Sequence, residues 1–261
     1  MNAKKLLSVL VLASAGLGLV ACGAATKTAT RAEALTALDK ISAKVTAASY
    51  KAPTTLHLAQ TATADKSAQI TTDVDTAAVY GHTVYTTDYK DTKGVTLAAA
   101  GTEIWAYKSE NKFYAVSKIA GTFTNWSADA DFGVAAALAK KISNGVGSAA
   151  SMAKFIRNFA DGATGIVTGA TVRPGTVMKA ESYTTAGDGN VTLDITPNYT
   201  GEGDEHMTYV YKNYIVASAQ NDLHANVVNY TWSGKVTATL PTEVGTSVGT
   251  EALGVAILAL L

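Results

Sequence analysis

Residues 228–241 read Val-Asn-Tyr-Thr-Trp-Ser-Gly-Lys-Val-Thr-Ala-Thr-Leu-Pro, and this stretch decides the fold class. Val228, Tyr230, Trp232, Val236, Ala238 and Leu240 fall on one parity, against Asn229, Thr231, Ser233, Lys235, Thr237 and Thr239 on the other. A period of two with one apolar and one polar face is the pattern of strands in an antiparallel sheet buried on a single side. The same period appears upstream. Val191, Leu193 and Ile195 alternate with Thr192, Asp194 and Thr196 just after the hairpin-turn pair Asp188-Gly189. Leu56 and Leu58 alternate with Thr55 and His57, and Ile70, Thr72 and Val74 alternate with Gln69, Thr71 and Asp73. Residues 77–89 and 95–100 read as further strands, and 103–117 as a hairpin turning at Ser109-Glu110-Asn111.

Helices interrupt this pattern twice. Thr30-Arg31-Ala32-Glu33 is a capping box, and Leu35, Leu38, Ile41 and Val45 follow at helical spacing, which predicts a helix over about residues 31–48. In the middle, Asp129 and Asp131 open a helix carrying Phe132, Val134, Leu138 and Ile142, with Lys140 and Lys141 before an expected end at Asn144-Gly145. Met152, Phe155, Ile156 and Phe159 then recur at i, i+3, i+4 and i+7, with Gly162 placed to end that helix. The expectation is an α+β domain: a curved antiparallel sheet, with an N-terminal helix and central helices covering one face.

The N-terminus carries a targeting signal. Lys4 and Lys5 precede an apolar run from Leu6 to Leu19, followed by Leu19-Val20-Ala21-Cys22. The run is too short for a spanning helix and has the three-part layout of a secretory leader. The boxed cysteine is similar to the bacterial lipobox, which implies cleavage before Cys22 and acylation of that residue. Residues 1–21 are thus read as signal peptide, 22–29 as a lipidated tether, 30–241 as the domain and 242–261 as a Gly/Thr-rich and apolar tail. Several acyl chains, palmitate among them, hold a protein firmly on the extracytoplasmic side of a bacterial cell envelope. Membrane lipid is the first expected partner.

Composition narrows the remaining classes. The 261 residues hold 21 Lys and Arg against 21 Asp and Glu, and removing residues 1–21 takes Lys4 and Lys5, so the mature charge is 19 minus 21, or minus two. That excludes a nucleic-acid binder driven by bulk positive charge. The single cysteine rules out an intrachain disulfide and a Cys-based zinc site, and the four histidines form no H-x-H or H-E-x-x-H pair, so no metal and no cofactor is expected.

Element order, together with Ile104-Trp105-Ala106-Tyr107-Lys108 through Lys112-Phe113-Tyr114 to Trp126, Tyr209 to Tyr214, and Val228-Asn229-Tyr230 with Val236 to Pro241, resembles the half-barrel lipoproteins of the LolA and LppX type. The resemblance implies a groove that holds acyl chains or a lipidated protein, with no catalysis. From parity alone, the groove candidates are Ile70, Val74, Leu193, Ile195, Tyr230 and Trp232. The same alternation arises when these side chains meet the helices directly and leave no cavity, which fits an accessory lipoprotein acting through protein contacts.

Enzyme motifs are weak. Ser151-Met152-Ala153-Lys154 matches S-x-x-K, the basis of a third reading as a serine acyl-transfer enzyme, but no Lys-Thr-Gly follows it. Gly245-Thr246-Ser247-Val248-Gly249 lacks any downstream histidine. Asp129-Ala130-Asp131 opens like a calcium loop whose twelfth position is Lys140, so helix capping explains it better. Glu202-Gly203-Asp204-Glu205-His206 gathers acids in an expected loop, with weak cation binding as the alternative to a solvated turn.

Overall fold

The computed structural model describes residues 25–62, 68–90, 94–131, 133–160, 166–167, 170–171, 177–198, 205–221, 226–243 and 246–247. In chain order, β1 (Lys27–Ala29) and α1 (Arg31–Thr46) precede β2 (Thr55–Ala62), β3 (Ala68–Asp75), β4 (Tyr80–Tyr85), β5 (Tyr89–Lys90) and β6 (Thr96–Ala98). Next come β7 (Glu103–Ser109), β8 (Lys112–Ile119), β9 (Thr122–Ala128), α2 (Val134–Val146) and α3 (Ser148–Ala160). Short β10 (Ile166–Val167) and β11 (Ala170–Thr171) lead to β12 (Val177–Thr185), β13 (Val191–Asn198), β14 (Met207–Lys212), β15 (Ile215–Asn221), β16 (Asn226–Trp232) and β17 (Thr246–Ser247).

Thirteen of these strands form one open sheet in the order β1-β12-β13-β14-β15-β16-β2-β3-β4-β7-β8-β9-β17. Every pairing in it is antiparallel except β17 with β9. Two meanders meet at the centre, where β16 pairs with β2 in the register Trp232↔Leu56, Tyr230↔Leu58, Val228↔Gln60. The architecture is thus α+β, with a large, mainly antiparallel sheet whose edges are β1 and β17. β1 lies in the stretch read as tether and pairs with β12, and β17 draws part of the tail into the sheet as an edge strand.

The capping box at α1 is formed: the Glu33 carboxylate accepts from the Thr30 N–H at 2.8 Å, and the Thr30 hydroxyl accepts from the Glu33 N–H. The Arg31 guanidinium clamps the Glu181 carboxylate on β12 through two nitrogens, which fixes the helix over the sheet. Ala34, Leu38 and Ile41 of α1 pack with Ala149, Met152, Ala153 and Ile156 of α3 on Tyr183, Leu193, Ile195 and Tyr211. A second cluster sets Val134, Leu138, Ile142 and Val146 of α2 on Leu56, Val74, Ile104, Ala106, Ala115 and Trp126. Tyr230 and Trp232 pack against both clusters, so the seam between the two meanders runs beneath the helices at these residues.

Three expectations are corrected. The alternation of residues 228–240 predicts one long strand pair over a single buried face, but β16 stops at Trp232. Ser233 turns at φ +57, the Thr55 hydroxyl donates to the Gly234 carbonyl at 2.9 Å, and the following segment lies on the opposite face of the sheet. There Val236 packs on a third cluster of Tyr80, Trp105, Tyr107 and Val116, while the Thr239 carbonyl accepts from Trp105 Nε1 at 2.8 Å and from the Tyr80 hydroxyl at 3.2 Å. Parity survives such a turn, but the side of the sheet does not. The strand expected over 77–89 begins instead with a turn, in which Asp75 accepts from the Ala77 and Ala78 N–H groups and Val79 sits at φ +50. Finally, Asn144-Gly145 does not end α2. Gly145 lies inside the helix because the Trp232 ring occupies the place of a side chain, 2.6 Å from where a Cβ would stand, and Gly147 forms the cap.

Candidate functional site

The helix-facing side of the sheet can be followed as registered rows. The row nearest the turn at Ser233 runs through Trp232, Leu56, Val74, Gly81, Ala106, Ala115 and Trp126, and α2 covers it. The parallel row nearer the opposite end runs Leu193, Tyr209, Ala219, Val228, Gln60, Ile70 and Tyr85. Its first member is sealed under α1 and α3, but from Tyr209 to Tyr85 every side chain is partly exposed. A strip of mostly apolar and aromatic surface, interrupted on β2 by Gln60, therefore crosses β14, β15, β16, β2, β3 and β4 without being fully covered. Phe155 of α3, half-buried and tilted against Phe159 at 4.7 Å between ring centres, packs against the helix cluster that ends at this strip.

The six groove candidates all lie on this side of the sheet, and they divide by burial. Leu193, Ile195 and Val74 have no exposed surface and touch helix side chains within the packed clusters. Tyr230 and Trp232 are partly exposed, their rings stacked 6.0 Å apart, and Trp232 Nε1 donates to the Val216 carbonyl at 2.6 Å. Ile70 lies in the open strip. Cys22 falls outside the described residues.

Two tyrosines outside the groove candidates, Tyr209 and Tyr211, join Tyr230 on this side of the sheet. Tyr209, Tyr211 and Tyr230 sit close enough to influence one another's ionisation, and burial pushes all three phenols up, so each is a neutral hydrogen-bonding group at physiological pH. The Tyr211 hydroxyl is buried and has no hydrogen-bond partner among the described residues. Ser148 is its nearest polar neighbour and, while donating to the Gly145 carbonyl at 2.9 Å, keeps lone pairs on its hydroxyl oxygen that face the phenol. The sequence Tyr209-Val210-Tyr211 hides this pair because Val210, on the other parity, is equally apolar.

No family model matches this chain. A comparison with curated proteins also finds no match. The site is accordingly read from its own residues.

The opposite face carries a polar row. His57 and Asp73 pair across β2 and β3 at 2.8 Å, His82 bonds Glu103 at 3.2 Å, and Glu103 accepts from Lys118 at 3.0 Å. His82 is buried, with its ring stacked on Trp105 at 4.6 Å. Burial lowers the proton affinity of His82 despite the neighbouring Glu103 and Asp73 carboxylates. A histidine whose folded affinity is depressed contributes stability above its ordinary range, and that contribution fades as pH falls below about 6.5, where the unfolded chain takes up the proton first. The unfolding midpoint is expected to fall as a neutral solution is acidified through this range, and His82→Gln to flatten that part of the profile in a thermal melt.

The S-x-x-K pair is on the solvent side of α3, with Ser151 and Lys154 both exposed. Asp131 accepts from the Gly133 and Val134 N–H groups at 2.9 and 2.7 Å, so it caps α2. Glu202 to Asp204 lie outside the described residues, and His206 pairs with Asp194. Among the described residues no cluster of His, Cys, Asp or Glu is arranged to hold a metal, and no helix is long and apolar enough to cross a membrane.

Proposed function

We propose that the protein is a lipid-anchored, non-catalytic envelope lipoprotein whose curved, half-barrel sheet holds an apolar ligand, an acyl chain or lipidated partner, along the strip from Tyr209 to Tyr85. The observation that carries this reading is the partly exposed, mostly apolar row that crosses six strands, with Gln60 as its one polar member. The row supplies area for an aliphatic chain. The neutral phenols of Tyr209 and Tyr230, both partly exposed, supply donors for an ester or carboxyl oxygen, which a purely hydrocarbon surface would not orient. Nothing in this arrangement asks for a nucleophile or a metal.

A second reading has its own support. Leu193, Ile195 and Val74 are sealed against helix side chains, as a packed module acting through protein contacts would have them. The two readings separate in a titration of the purified mature chain with a fluorescent long-chain fatty acid. The ligand reading expects saturable binding that weakens at least about tenfold in Ile70→Glu and in Val228→Glu, because each places a carboxylate against the acyl chain. Both sites are partly exposed, so the melting profiles should stay close to that of the parent. Unsaturable binding, or binding unchanged by either substitution, favours the packed module.

A further inference from the structure

α2 brings one charged side chain to the border of the open strip. The helix follows β9, is capped by Asp131, and ends with Gly145 against the Trp232 ring on β16 and near Val216 on β15. It therefore crosses the strands over the row of Leu56, Val74 and Ala106, with one flank towards the turn at Ser233 and the other towards the strip. Chirality decides which residues stand on each flank. The Thr54 carbonyl accepts from Thr76 on the β3 side and the Thr55 carbonyl from Ser233 on the β16 side, so the even-numbered residues of β2, Leu56 among them, bond towards β3. For an L-residue facing the viewer on an upward strand, that side is the right. Seen from the helices, with β2 running up from Leu56 to Gln60, α2 thus runs right to left below the strip. A right-handed helix on that course turns about 100° per residue, from the strip side through the sheet side to the turn end. Ala137 and Lys141 face the strip, Leu138 and Gly145 the sheet, and Ile142 and Val146 the turn end. Val79, Phe113 and Ile215, all at the turn end, pack against the same cluster as Ile142 and Val146, as this placement requires.

Lys141 is partly buried, whereas the adjoining Lys140 is exposed. Burial lowers the proton affinity of the Lys141 ammonium, and no carboxylate acts on it to offset this. Among the described residues it has no hydrogen bond or ion pair. The sheet row between α2 and the strip supplies no acid either: Thr72 and Thr83 are buried there, with their hydroxyls bonded to each other at 3.0 Å. An ammonium drawn out of water in this way lacks the partner that a buried charge requires. We propose that Lys141 is the headgroup site of the strip, and that the ligand is an amphiphile with a single carboxylate, a free long-chain fatty acid, whose hydrocarbon chain lies along Val228, Ile70 and Tyr85. The proposal rests on the reading of the strip as a ligand site, and it selects within that reading. An N-acylated protein terminus or a neutral ester lipid has no charge to offer the ammonium. The open row is bounded on one side by the sealed pair Thr72 and Thr83, which suits one chain better than the paired chains of a diacyl lipid. Its six strands span about 24 Å at the usual strand spacing, enough for one long acyl chain.

Two ligands that differ only at the head test this. The mature chain is titrated with oleic acid and with methyl oleate, each displacing an uncharged fluorescent fatty alcohol, alongside Lys141→Met, which keeps the aliphatic stem, and Lys141→Arg, which keeps the charge. The parent is expected to bind the acid at least about tenfold more tightly than the ester. That preference should shrink to within about twofold in Lys141→Met and persist in Lys141→Arg, with the affinity for the ester alike in all three chains. The comparison of acid with ester in the parent needs no variant, so it holds even where a substitution disturbs folding. Equal affinities for acid and ester in the parent, or a preference that survives in Lys141→Met, would overturn the headgroup site and leave the strip standing. Absence of saturable binding by acid, ester and alcohol alike would show that the strip reading itself has failed, and the headgroup site with it.

Discussion

Trp232→Ala is expected to destabilise the fold by about 3–5 kcal/mol, the range for removing a large core aromatic, and to lower the unfolding midpoint by roughly 6–20 °C in a domain of this size. Three separate consequences add at this position. The indole spans the seam between the two hydrophobic clusters, so its loss opens a void that neither α1 with α3 nor α2 can close alone. Its N–H donates to the Val216 carbonyl on β15, the neighbouring strand, and that carbonyl loses a partner. The ring also occupies the position of a side chain on Gly145, so the truncated variant leaves a bare backbone patch on α2. Trp232→Phe should fall between parent and alanine variant, since it keeps most of the ring and loses the N–H. Circular dichroism melts of the three chains decide the order; a Trp232→Ala midpoint equal to that of the parent would contradict the seam.

Cys22→Ser carries the second large effect, on location instead of stability. Hydroxyl in place of thiol removes the acceptor for the acyl chains, and the leader is then expected to remain uncut. The acylated N-terminal peptide should vanish from mass spectra, and no chain that begins at position 22 or 23 should be found. Anchoring by two or more chains is effectively firm where one is marginal, so the mature, acylated form should disappear entirely. A correctly cut but unlipidated product would refute the assignment of Cys22 as the anchor.

Much of the sheet was readable because alternation is a local property. Ile70 and Val74, Leu193 and Ile195, and Tyr230 and Trp232 all share the helix-facing side as their parity requires, and α1 begins where Thr30 and Glu33 place its cap. What parity does not carry is which strands meet. The pairing of β16 with β2 joins residues about 170 apart in sequence, and no local signal in one chain encodes it. The crossing of residues 234–241 to the opposite face was hidden for a related reason: Ser233-Gly234 resets the direction of the chain, while Val236, Ala238 and Leu240 keep the same odd-even order as Trp232. β1 was hidden by composition, since Lys-Thr-Ala offers an edge strand one small apolar residue to bury, Ala29. The open strip was half legible. Ile70 and Tyr230 stood out by alternation, whereas Tyr209 and Tyr85 became site residues only through cross-strand register with Ala219, Val228 and Ile70.

The central claim is that the strip from Tyr209 to Tyr85 holds an apolar ligand, and it is tested most directly by native mass spectrometry of the mature chain isolated from bacterial envelopes, with the bound material extracted and identified. The account predicts a stoichiometric lipid adduct, beyond the acyl chains on Cys22, that is lost in Ile70→Glu. A chain that retains its anchor and its fold but carries no additional lipid would contradict it.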